Sequence, residues 1–401
     1  MPGPGFYLFG DEERKEVLDV LETGYLSRYG QESDPRFKHK VVTLEQEFAK
    51  KIGVKHALAT NGGTSSIIAA LIALGVGRGD EVLVPGYTYV ASISAVIAVG
   101  GTPILAEVDE SLTMDPSDIE HRISSRTKAI MPVHMLGNPS DIDGIMAVAR
   151  KHKIPILEDA CQSLGASYKG KRTGVFGAIN AFSLNINKTI TTGDAGMVTT
   201  DDDELYERAF GYHDQGHKRL GMGLEISARS RVVGVNLRIN ELTGAVGLAQ
   251  LHKLDTIVAL LREKKRKFKE AIEAGGIRNM SYRRINDPGE IATILTVLFP
   301  DEAVTRRVAA ALGVKIVSDS GWHVYNHMEQ ILSWHDEQGR RPNRKNMLTK
   351  TDAILSRALN LSVGVVDPGI GANFGINVLS SDQEIARKAE EFVKKVKPIV
   401  G

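Results

Sequence analysis

The sequence predicts an α/β protein built on a mainly parallel sheet of seven strands between helices, followed by a smaller α/β domain. Three observations support this prediction. Seven short apolar runs alternate with helix-like segments between residues 41 and 275. The runs are continuously apolar, as in strands whose two faces are both covered by helices. The length of 401 residues fits two domains, at roughly 150 residues each.

The seven predicted strands and the helices between them follow one another in a regular order. In chain order the strands are VKHALAT (54–60), EVLVPG (81–86), TPILAEV (102–108), KAIMPVH (128–134), IPILEDA (154–160), NAFSL (180–184) and GMVTT (196–200). The helical segments are SSIIAALIALG (65–75), ASISAVIAVG (91–100), DIDGIMAVARKH (141–152) and DELYERAF (203–210). Strands that alternate with helices in this way form βαβ units, whose strands pair in parallel.

A second, smaller domain is predicted after residue 255. Residues 240–274 form one long predicted helix that ends near Gly275. Beyond it we expect strands at 292–300 and 313–319 and helices at 351–359 and 382–398. The sequence thus predicts a large N-terminal domain over 1–255 and a small C-terminal α/β domain over 256–401.

The composition is that of an ordinary globular protein and argues against several functions. Lys and Arg total 50 against 49 for Asp and Glu, which gives a net charge of +1 and no basic field for nucleic acid. No apolar run approaches the roughly 18 residues that span a bilayer, and the first residues lack the pattern of a signal peptide. A single cysteine, Cys161, excludes an intrachain disulfide and a cysteine-based zinc site. We therefore expect a cytoplasmic enzyme with no metal, membrane or nucleic-acid partner.

The first segment that suits a ligand is TNGGTSS (60–66), between a predicted strand and a predicted helix. Glycines allow close approach of the backbone, hydroxyls add donors, and a helix N-terminus offers free N–H groups to an anion. A phosphate site and an ordinary capped turn explain these residues equally well. The chain has neither GxxxxGK[ST] nor a strand followed by GxGxxG, which argues against a P-loop and against a nicotinamide dinucleotide.

Two further segments place charged residues after predicted strands. Asp159 ends the apolar run 154–160, where a shielded carboxylate needs a cation, such as a protonated pyridine nitrogen, unless it caps the next helix. Lys188 is the one charged residue of the stretch 182–193. Poor solvation lowers the pKa of such a lysine and favours Schiff-base formation, whereas a loop lysine that points to solvent is the alternative.

A phosphate cradle, an acidic strand end and a lone lysine are together the three anchors that pyridoxal 5′-phosphate requires. The cradle holds one end of the cofactor, the carboxylate keeps the ring nitrogen protonated, and the amine carries the aldehyde. The combination therefore predicts a pyridoxal-phosphate site.

The chain resembles the DegT/StrS family of fold-type I, pyridoxal-phosphate-dependent sugar aminotransferases. The likeness is carried by VPGYTYVAS (84–92), PVHMLG (132–137), LEDACQSLGASYKGKRTGVFG (157–177), FSLNINKTITTGDAG (182–196) and GVNLRINELTGAVGLAQL (234–251). The stretch SGWHVYNHMEQILSW (320–334) is similar to a sub-branch that aminates an eight-carbon keto sugar.

The resemblance implies the residues that act on the reacting atoms. Lys188 would carry the cofactor's aldehyde and act as acid and base, and Asp159 would pair with the pyridinium nitrogen. Gln162 would hydrogen-bond the phenolic oxygen. His134 would lie close to the cofactor as a further catalytic residue, although a lone histidine there is as consistent with a structural role.

The resemblance also implies the residues that bind the rest of the cofactor. Gly63, Thr64 and Ser183 would hold the phosphate. Tyr89 would stack on the ring; without the family it would be a half-buried aromatic. Asn236, otherwise a polar loop residue, would reach the phosphate from a partner subunit. We therefore expect a homodimer with shared active sites.

Two departures from the family pattern lie beside the lysine. Gly193-Asp194-Ala195-Gly196 replaces the usual Gly-Glu-Gly-Gly, and alanine tolerates a positive φ poorly, so we expect a reshaped turn. Asn185-Ile186-Asn187 replaces the commoner aromatic or hydroxyl residues. Both changes bear on the choice of substrate.

The implied reaction is a transamination from glutamate or glutamine to a keto or aldehyde carbon of a sugar, nucleotide-linked or of higher carbon number, in amino-sugar biosynthesis. A sugar dehydratase that uses the same cofactor is one alternative, although such relatives typically carry histidine in place of the lysine. A non-catalytic regulator that binds the cofactor is another, and the altered turn is its support. The polar loop 336–346, with Arg340, Arg341 and Arg344, either contacts an anionic substrate or is a solvated loop.

Overall fold

The structure is a computed structural model that describes residues 2–220, 223–225 and 232–401. Its α-helices are α1 (Pro4–Tyr7), α2 (Asp11–Leu21), α3 (Lys40–Ile52), α4 (Gly63–Ala73), α5 (Val90–Ala98), α6 (Pro116–Arg122), α7 (Ile142–His152), α8 (Asp203–His213), α9 (Glu241–Ala274), α10 (Glu302–Leu312), α11 (Glu329–Leu332), α12 (Thr349–Leu355) and α13 (Asp382–Val400). Its strands are β1 (His56–Thr60), β2 (Glu81–Pro85), β3 (Thr102–Ala106), β4 (Thr127–Ile130), β5 (Leu157–Asp159), β6 (Ser167–Tyr168), β7 (Lys171–Arg172), β8 (Ile179–Ser183), β9 (Gly196–Thr200), β10 (Lys218–Leu220), β11 (Gly223–Glu225), β12 (Ser281–Tyr282), β13 (Ile294–Leu298) and β14 (Ala358–Ser362).

The large sheet, as far as the chain is described, has seven strands in the order β1-β9-β8-β5-β4-β2-β3. A four-stranded and a three-stranded group join where Ile130 and Val133 bridge to Ile156 and Asp159. The pairs β2/β3, β2/β4 and β5/β8 are parallel, and only β9 runs antiparallel to its two neighbours. The predicted mainly parallel, seven-stranded sheet is therefore confirmed, with all seven strands where the apolar runs lie.

Both faces of the large sheet are covered, which is why its strands are continuously apolar. One face packs on α3 and α9, with Phe48 of α3 against Phe182 of β8 at 5.2 Å between ring centroids. The other face packs on α4, α5 and α8, where Ile67, Ile93 and Phe210 are buried. Burial on two faces leaves little room for the polar alternation that marks a half-exposed strand.

The long predicted helix is confirmed as α9, which is continuous from Glu241 to Ala274. By length and composition α9 could cross a membrane, but 61% of its most apolar window is buried inside the fold. It packs against α2, α3 and α13. Such burial is typical of the core helix of a globular protein.

The C-terminal region contains a second sheet, β12-β13-β14, whose strands are all antiparallel. This sheet packs with α10, α13 and the second half of α9 around Phe268, Val308 and Phe392. Because α9 crosses residue 256 without a break, the division into domains 1–255 and 256–401 remains a prediction.

One prediction in the C-terminal region is wrong, and another is confirmed only in part. The apolar run 313–319 is not a strand: Gly313 ends α10 at φ +70°, and the run continues into a short 3-10 turn at Val317–Asp319. The helix predicted over 351–359 is α12, which ends at Leu355, and β14 begins at Ala358. At 313–319 and at 358–359 the apolar residues do not have the secondary structure that periodicity suggested, because short apolar runs do not distinguish strand, helix and buried loop.

Candidate active site

One cavity of about 400 Å³ lies beyond the carboxyl ends of β1, β2, β5 and β8. This is the edge of an open α/β sheet at which ligands bind. Seven of the nine predicted site residues line it, namely Gly63, Thr64, Tyr89, Asp159, Gln162, Ser183 and Lys188. The wall that faces them comes from the C-terminal region, through Thr293, Ile294, His323, Val365, Asp367 and Ile370. The fold therefore brings most of the sequence candidates to a single site.

The start of α4 offers free N–H groups to the cavity. The first bond of the helix runs from the Ser66 N–H to the Gly62 carbonyl at 3.0 Å, so the N–H groups of the three residues before Ser66 have no partner within the helix. A Cβ on Gly63 would lie 2.6 Å from Cβ of Ser183 and 3.2 Å from Sγ of Cys161. Only glycine lets the helix start come this close to Ser183, which makes a compact cradle for an anion.

Asp159 is held with both carboxylate oxygens occupied. Ser92 Oγ donates to Oδ2 at 2.6 Å, and the Cys161 N–H donates to Oδ1 at 3.1 Å. Because the Ser92 proton is used in this way, the Thr88 hydroxyl, 2.7 Å from Ser92 Oγ, donates to it. Every contact treats Asp159 as an acceptor, which suits a carboxylate that faces a cationic ligand. Ser92 escaped the sequence prediction.

Lys188 lies in the cavity wall after a tight turn. Its N–H donates to the Asn185 carbonyl at 2.9 Å, and Asn185 Nδ2 donates to Asp194 Oδ1 at 2.9 Å. Burial lowers the pKa of Lys188, and the negative charges of Asp159 and Asp367 oppose that shift. A buried amine with a lowered pKa is a better nucleophile at neutral pH than a solvated lysine.

The turn after the lysine accommodates alanine without a positive φ at that residue; whether the turn differs from that of the family stays a prediction. Gly193 carries the positive φ of the turn, at +87°. Ala195 is not among the residues with positive φ, and its carbonyl accepts from the Leu184 N–H at 2.8 Å. The alanine occupies a position that needs no glycine, which removes the support for a non-catalytic regulator.

Gln162 and Cys161 flank Asp159 in the sequence and differ in their chemistry. The amide oxygen of Gln162 accepts from the Leu136 N–H at 2.9 Å, which leaves its NH₂ group to donate into the cavity. Burial raises the pKa of the Cys161 thiol well above its usual value, and the nearby Asp159 charge adds to this shift. The thiol therefore stays protonated and is no nucleophile.

His134 does not line the cavity, in contrast to its predicted place beside the cofactor. The ring is fully buried, accepts at Nδ1 from the Ser140 N–H at 2.9 Å, and donates at Nε2 to Glu158 at 2.8 Å. Glu158 also accepts from the N–H groups of Gly174, Phe176 and Gly177. Both nitrogens of the ring are occupied, so its position supports a structural role and not a catalytic one.

Asn236 lies outside the cavity of its own chain. It is exposed, and its Oδ1 accepts from the Arg238 N–H at 3.2 Å. Its predicted role, to reach the phosphate site of a partner subunit, stays a prediction.

His323 and Asp367 are cavity residues that sequence reasoning did not assign. Ser320 Oγ donates to the Gly369 carbonyl at 2.8 Å, so its contact with His323 Nδ1 at 3.2 Å requires that Nδ1 carry the proton. Burial and the Lys188 charge lower the pKa of His323 to about 3, so the ring is neutral and its Nε2 is an acceptor. The motif 320–334 was a signal for His323, whereas nothing in the sequence marked Asp367.

The polar loop 336–346 is remote from the cavity. Asn343 Nδ2 donates to the Pro103 carbonyl at 2.9 Å. Pro103 lies near the start of β3, whereas the cavity lies beyond the carboxyl ends of the parallel strands. Arg340 pairs with Asp336 at 2.6 Å. Of the two interpretations of this loop, the structure favours a solvated surface loop over contact with an anionic substrate.

Comparisons with known proteins identify the family and the fold of the chain. A model of the DegT/DnrJ/EryC1/StrS aminotransferase family matches residues 9–366. GDP-perosamine synthase of Caulobacter vibrioides is 42% identical over 252 residues, which are 62% of this chain and 63% of that protein. The match thus spans a little less than two thirds of the relative's length.

Solved structures extend the likeness to the whole chain. An aminotransferase from Psychrobacter cryohalolentis has a TM-score of 0.80 at 28% identity, with 100% of both chains covered. GDP-4-keto-6-deoxymannose-3-dehydratase has a TM-score of 0.78 at 21% identity over 96% of this chain and 98% of its own, which shows the fold alone. The chain therefore belongs to the DegT/DnrJ/EryC1/StrS aminotransferase family, and pyridoxal 5′-phosphate is the cofactor that this family uses.

Proposed function

We propose that the protein transfers an amino group from glutamate or glutamine to a keto or aldehyde carbon of a sugar, in the biosynthesis of an amino sugar. One arrangement carries the proposal: the Lys188 amine, the Asp159 carboxylate and the free N–H groups of α4 face a single cavity. The relatives found by sequence are sugar aminotransferases, which supports a sugar as the acceptor.

The residues of the cavity fit pyridoxal 5′-phosphate. The N–H groups at the start of α4 have no partner within the helix and suit a phosphate. Asp159 suits a protonated ring nitrogen, and the lowered pKa of Lys188 suits an amine that condenses with an aldehyde. When bound, the cofactor supplies that aldehyde and a ring that accepts electrons.

Each residue of the site then has a definite task. Lys188 would hold the cofactor, and its Nζ would serve as the acid and base that moves a proton of the donor. Asp159, oriented by Ser92, keeps the ring nitrogen protonated. Gln162 would donate its NH₂ to the phenolic oxygen, because the Leu136 N–H occupies its amide oxygen. Tyr89 lines the cavity, is half exposed, and would pack on the ring.

The sugar would lie against the wall formed by the C-terminal region. His323 Nε2 and Asp367 are acceptors there, and Asp194 adds a third on the side of the lysine turn. Sugar hydroxyls are donors that can satisfy such groups, whereas a ketone oxygen cannot. This wall therefore suits a polyhydroxylated substrate whose carbonyl points toward Lys188.

A second copy of the chain would complete the site. Among the described lining residues, Lys188 is the one lysine or arginine, against the carboxylates of Asp159, Asp194 and Asp367. Glutamate brings carboxylates of its own, which need cations or N–H donors from elsewhere. A homodimer whose partner contributes Asn236 and neighbouring groups meets that need. The composition and the single, unpaired cysteine, Cys161, support a cytoplasmic location.

The experiment separates the two half-reactions. Purified protein loaded with pyridoxal phosphate is mixed with glutamate or glutamine, and loss of the absorption band of the lysine-bound cofactor is followed. A panel of keto sugars is then scored for which member restores the band. Lys188→Ala is the control and should neither show the band nor turn over. Bleaching by no amino donor would contradict the proposal, and a deoxy-keto product without amine transfer would favour the dehydratase.

A further inference from the structure

The first residues of the chain pack against the backbone of the lysine turn. We call residues 2–7 the N-terminal segment. The Gly3 N–H donates to the Ile186 carbonyl at 2.8 Å. A Cβ on Gly3 would lie 2.5 Å from the carbonyl oxygen of Asn187 and 2.6 Å from that of Lys188. The segment therefore comes close to the main chain of Lys188 itself, and none of its residues is among those that line the cavity.

Gly5 makes a second close approach, to the end of the same turn. A Cβ on Gly5 would lie 2.7 Å from Cα of Ile190 and 2.9 Å from the nitrogen of Thr191. Space, and not backbone conformation, requires glycine at these two positions. Gly3 has φ −85° and ψ −176°, which any residue adopts, and Gly5 lies in helix α1, where alanine is the better residue.

The N-terminal segment is anchored to the rest of the fold by buried polar groups. Gln250 of α9 is fully buried; its Nε2 donates to the Gly5 carbonyl at 3.2 Å and to Glu13 at 2.7 Å. Its Oε1 accepts from the Thr191 N–H at 3.1 Å. Lys253 donates to the Leu8 carbonyl and to Glu13, both at 2.8 Å. One glutamine thus ties the N-terminal segment, α9 and the lysine turn together.

We propose that the N-terminal segment is a positioning element that supports the turn of Lys188 from behind and so sets how far its amine reaches into the cavity. This inference rests on the proposed function of Lys188. The segment supplies no group to the cavity and acts only through the backbone at 186–191. At Gly3 and Gly5 the backbone of the segment packs directly on the backbone of the turn. An added methyl group at either glycine should therefore displace the turn or the segment.

The test is Gly3→Ala, with Gly77→Ala as the matched control, since a Cβ on Gly77 has no atom of the described residues within 4 Å. The added methyl must move the turn or the segment by about 1 Å, because carbon atoms pack at roughly 3.5–4.0 Å. A misplacement of about 1 Å costs about 10²-fold in rate, so kcat should fall by that order while KM for the donor changes little. Gly77→Ala should behave as the wild type.

A second measurement needs no turnover. In the cofactor-free protein, the rate at which an amine reagent labels Lys188 is followed against pH by mass spectrometry. Burial lowers the pKa of Lys188, so a loosened turn that admits water should shift the midpoint in Gly3→Ala upward, toward the ordinary lysine value. A purely structural role would lower the unfolding temperature and leave the midpoint where it is.

A chain that begins at Gly10 decides the case if Gly3→Ala does not fold. It should keep the sheet, since the N-terminal segment contributes no strand, and show the same loss of kcat and the same shift of the labelling midpoint. Wild-type kcat and midpoint in either folded variant would overturn the proposal. Failure of both variants to fold would overturn it as well, because the segment would then belong to the core. Absence of the cofactor from Lys188 in the wild type would instead refute the proposed function.

Discussion

Replacing Gly63 with alanine tests the phosphate cradle at the start of α4. The added Cβ would lie 2.6 Å from Cβ of Ser183, about 1 Å inside normal carbon contact. Ser183 is paired with Gly196 inside the sheet and has little freedom to move. The helix start must therefore retreat by about 1 Å, which lengthens one or two hydrogen bonds to the phosphate beyond a useful distance.

The size of the effect follows from this shift. A hydrogen bond to a charged group contributes about 1.5–3 kcal/mol, so each bond lost weakens cofactor binding about 10- to 100-fold. Stability should change less, because alanine gains up to about 1 kcal/mol over glycine in a helix while overpacking costs about 1–3 kcal/mol. The signature is a weakened cofactor on a nearly normal fold.

The assay is a titration of cofactor-free protein with pyridoxal phosphate, together with thermal unfolding. Gly321→Ala is the matched control, because its added Cβ meets no atom within 4 Å. Wild-type affinity in Gly63→Ala would refute the account of the cradle.

Three further predictions concern the buried groups of the site. Burial lowers the pKa of Lys188, so an amine reagent should label Lys188 of the cofactor-free wild type at half its maximal rate at a pH below the ordinary pKa of lysine. A midpoint at or above that pKa would contradict this prediction. Glu158→Gln removes the carboxylate that accepts from His134 and from three backbone N–H groups, and it should destabilise the fold by about 1.5–3 kcal/mol in chemical denaturation. The folded-state pKa of Glu158 lies below its ordinary value, because these hydrogen bonds outweigh the effect of burial. The contribution of Glu158 is therefore present above the ordinary pKa and lost as the pH falls through the folded-state value, so the variant should lose less stability than the wild type in that acid range. An unchanged acid limb would contradict this prediction. His323→Phe removes a neutral acceptor and should raise KM for the sugar about tenfold without slowing the donor half-reaction. His323→Gln keeps an acceptor and should recover part of that loss. An unaltered KM in His323→Phe would show that His323 does not contact the sugar.

The sequence was sufficient for the large sheet because burial on two faces leaves a continuous apolar signature in each strand. The same reasoning failed at 313–319 and at β14, where apolar residues are buried for reasons that lie outside the local sequence. Asp159 and Lys188 could be found from chemistry alone, since a charge at the end of an apolar strand needs a partner. The resemblance to a family added Gln162 and Tyr89, which no physical pattern distinguished from ordinary polar and aromatic residues.

The residues that escaped prediction depend on tertiary contacts. Ser92 orients Asp159 across 67 positions of sequence, and Asp367 arrives from a distant loop. Gly3 and Gly5 form a visible Pro-Gly-Pro-Gly pattern, but the need for glycine appears only when the lysine turn lies against them. His134 is the converse case. A motif predicted that it lies near the cofactor, but its contact with Glu158 explains its position without any role at the cofactor.

Reduction of the cofactor-loaded protein with borohydride, followed by digestion and mass spectrometry, tests the central claim most directly. The account predicts that the added pyridoxyl phosphate is found on the peptide that contains Lys188, and that Lys188→Ala carries none. A label on another lysine, or a wild-type protein that retains no label, would contradict it.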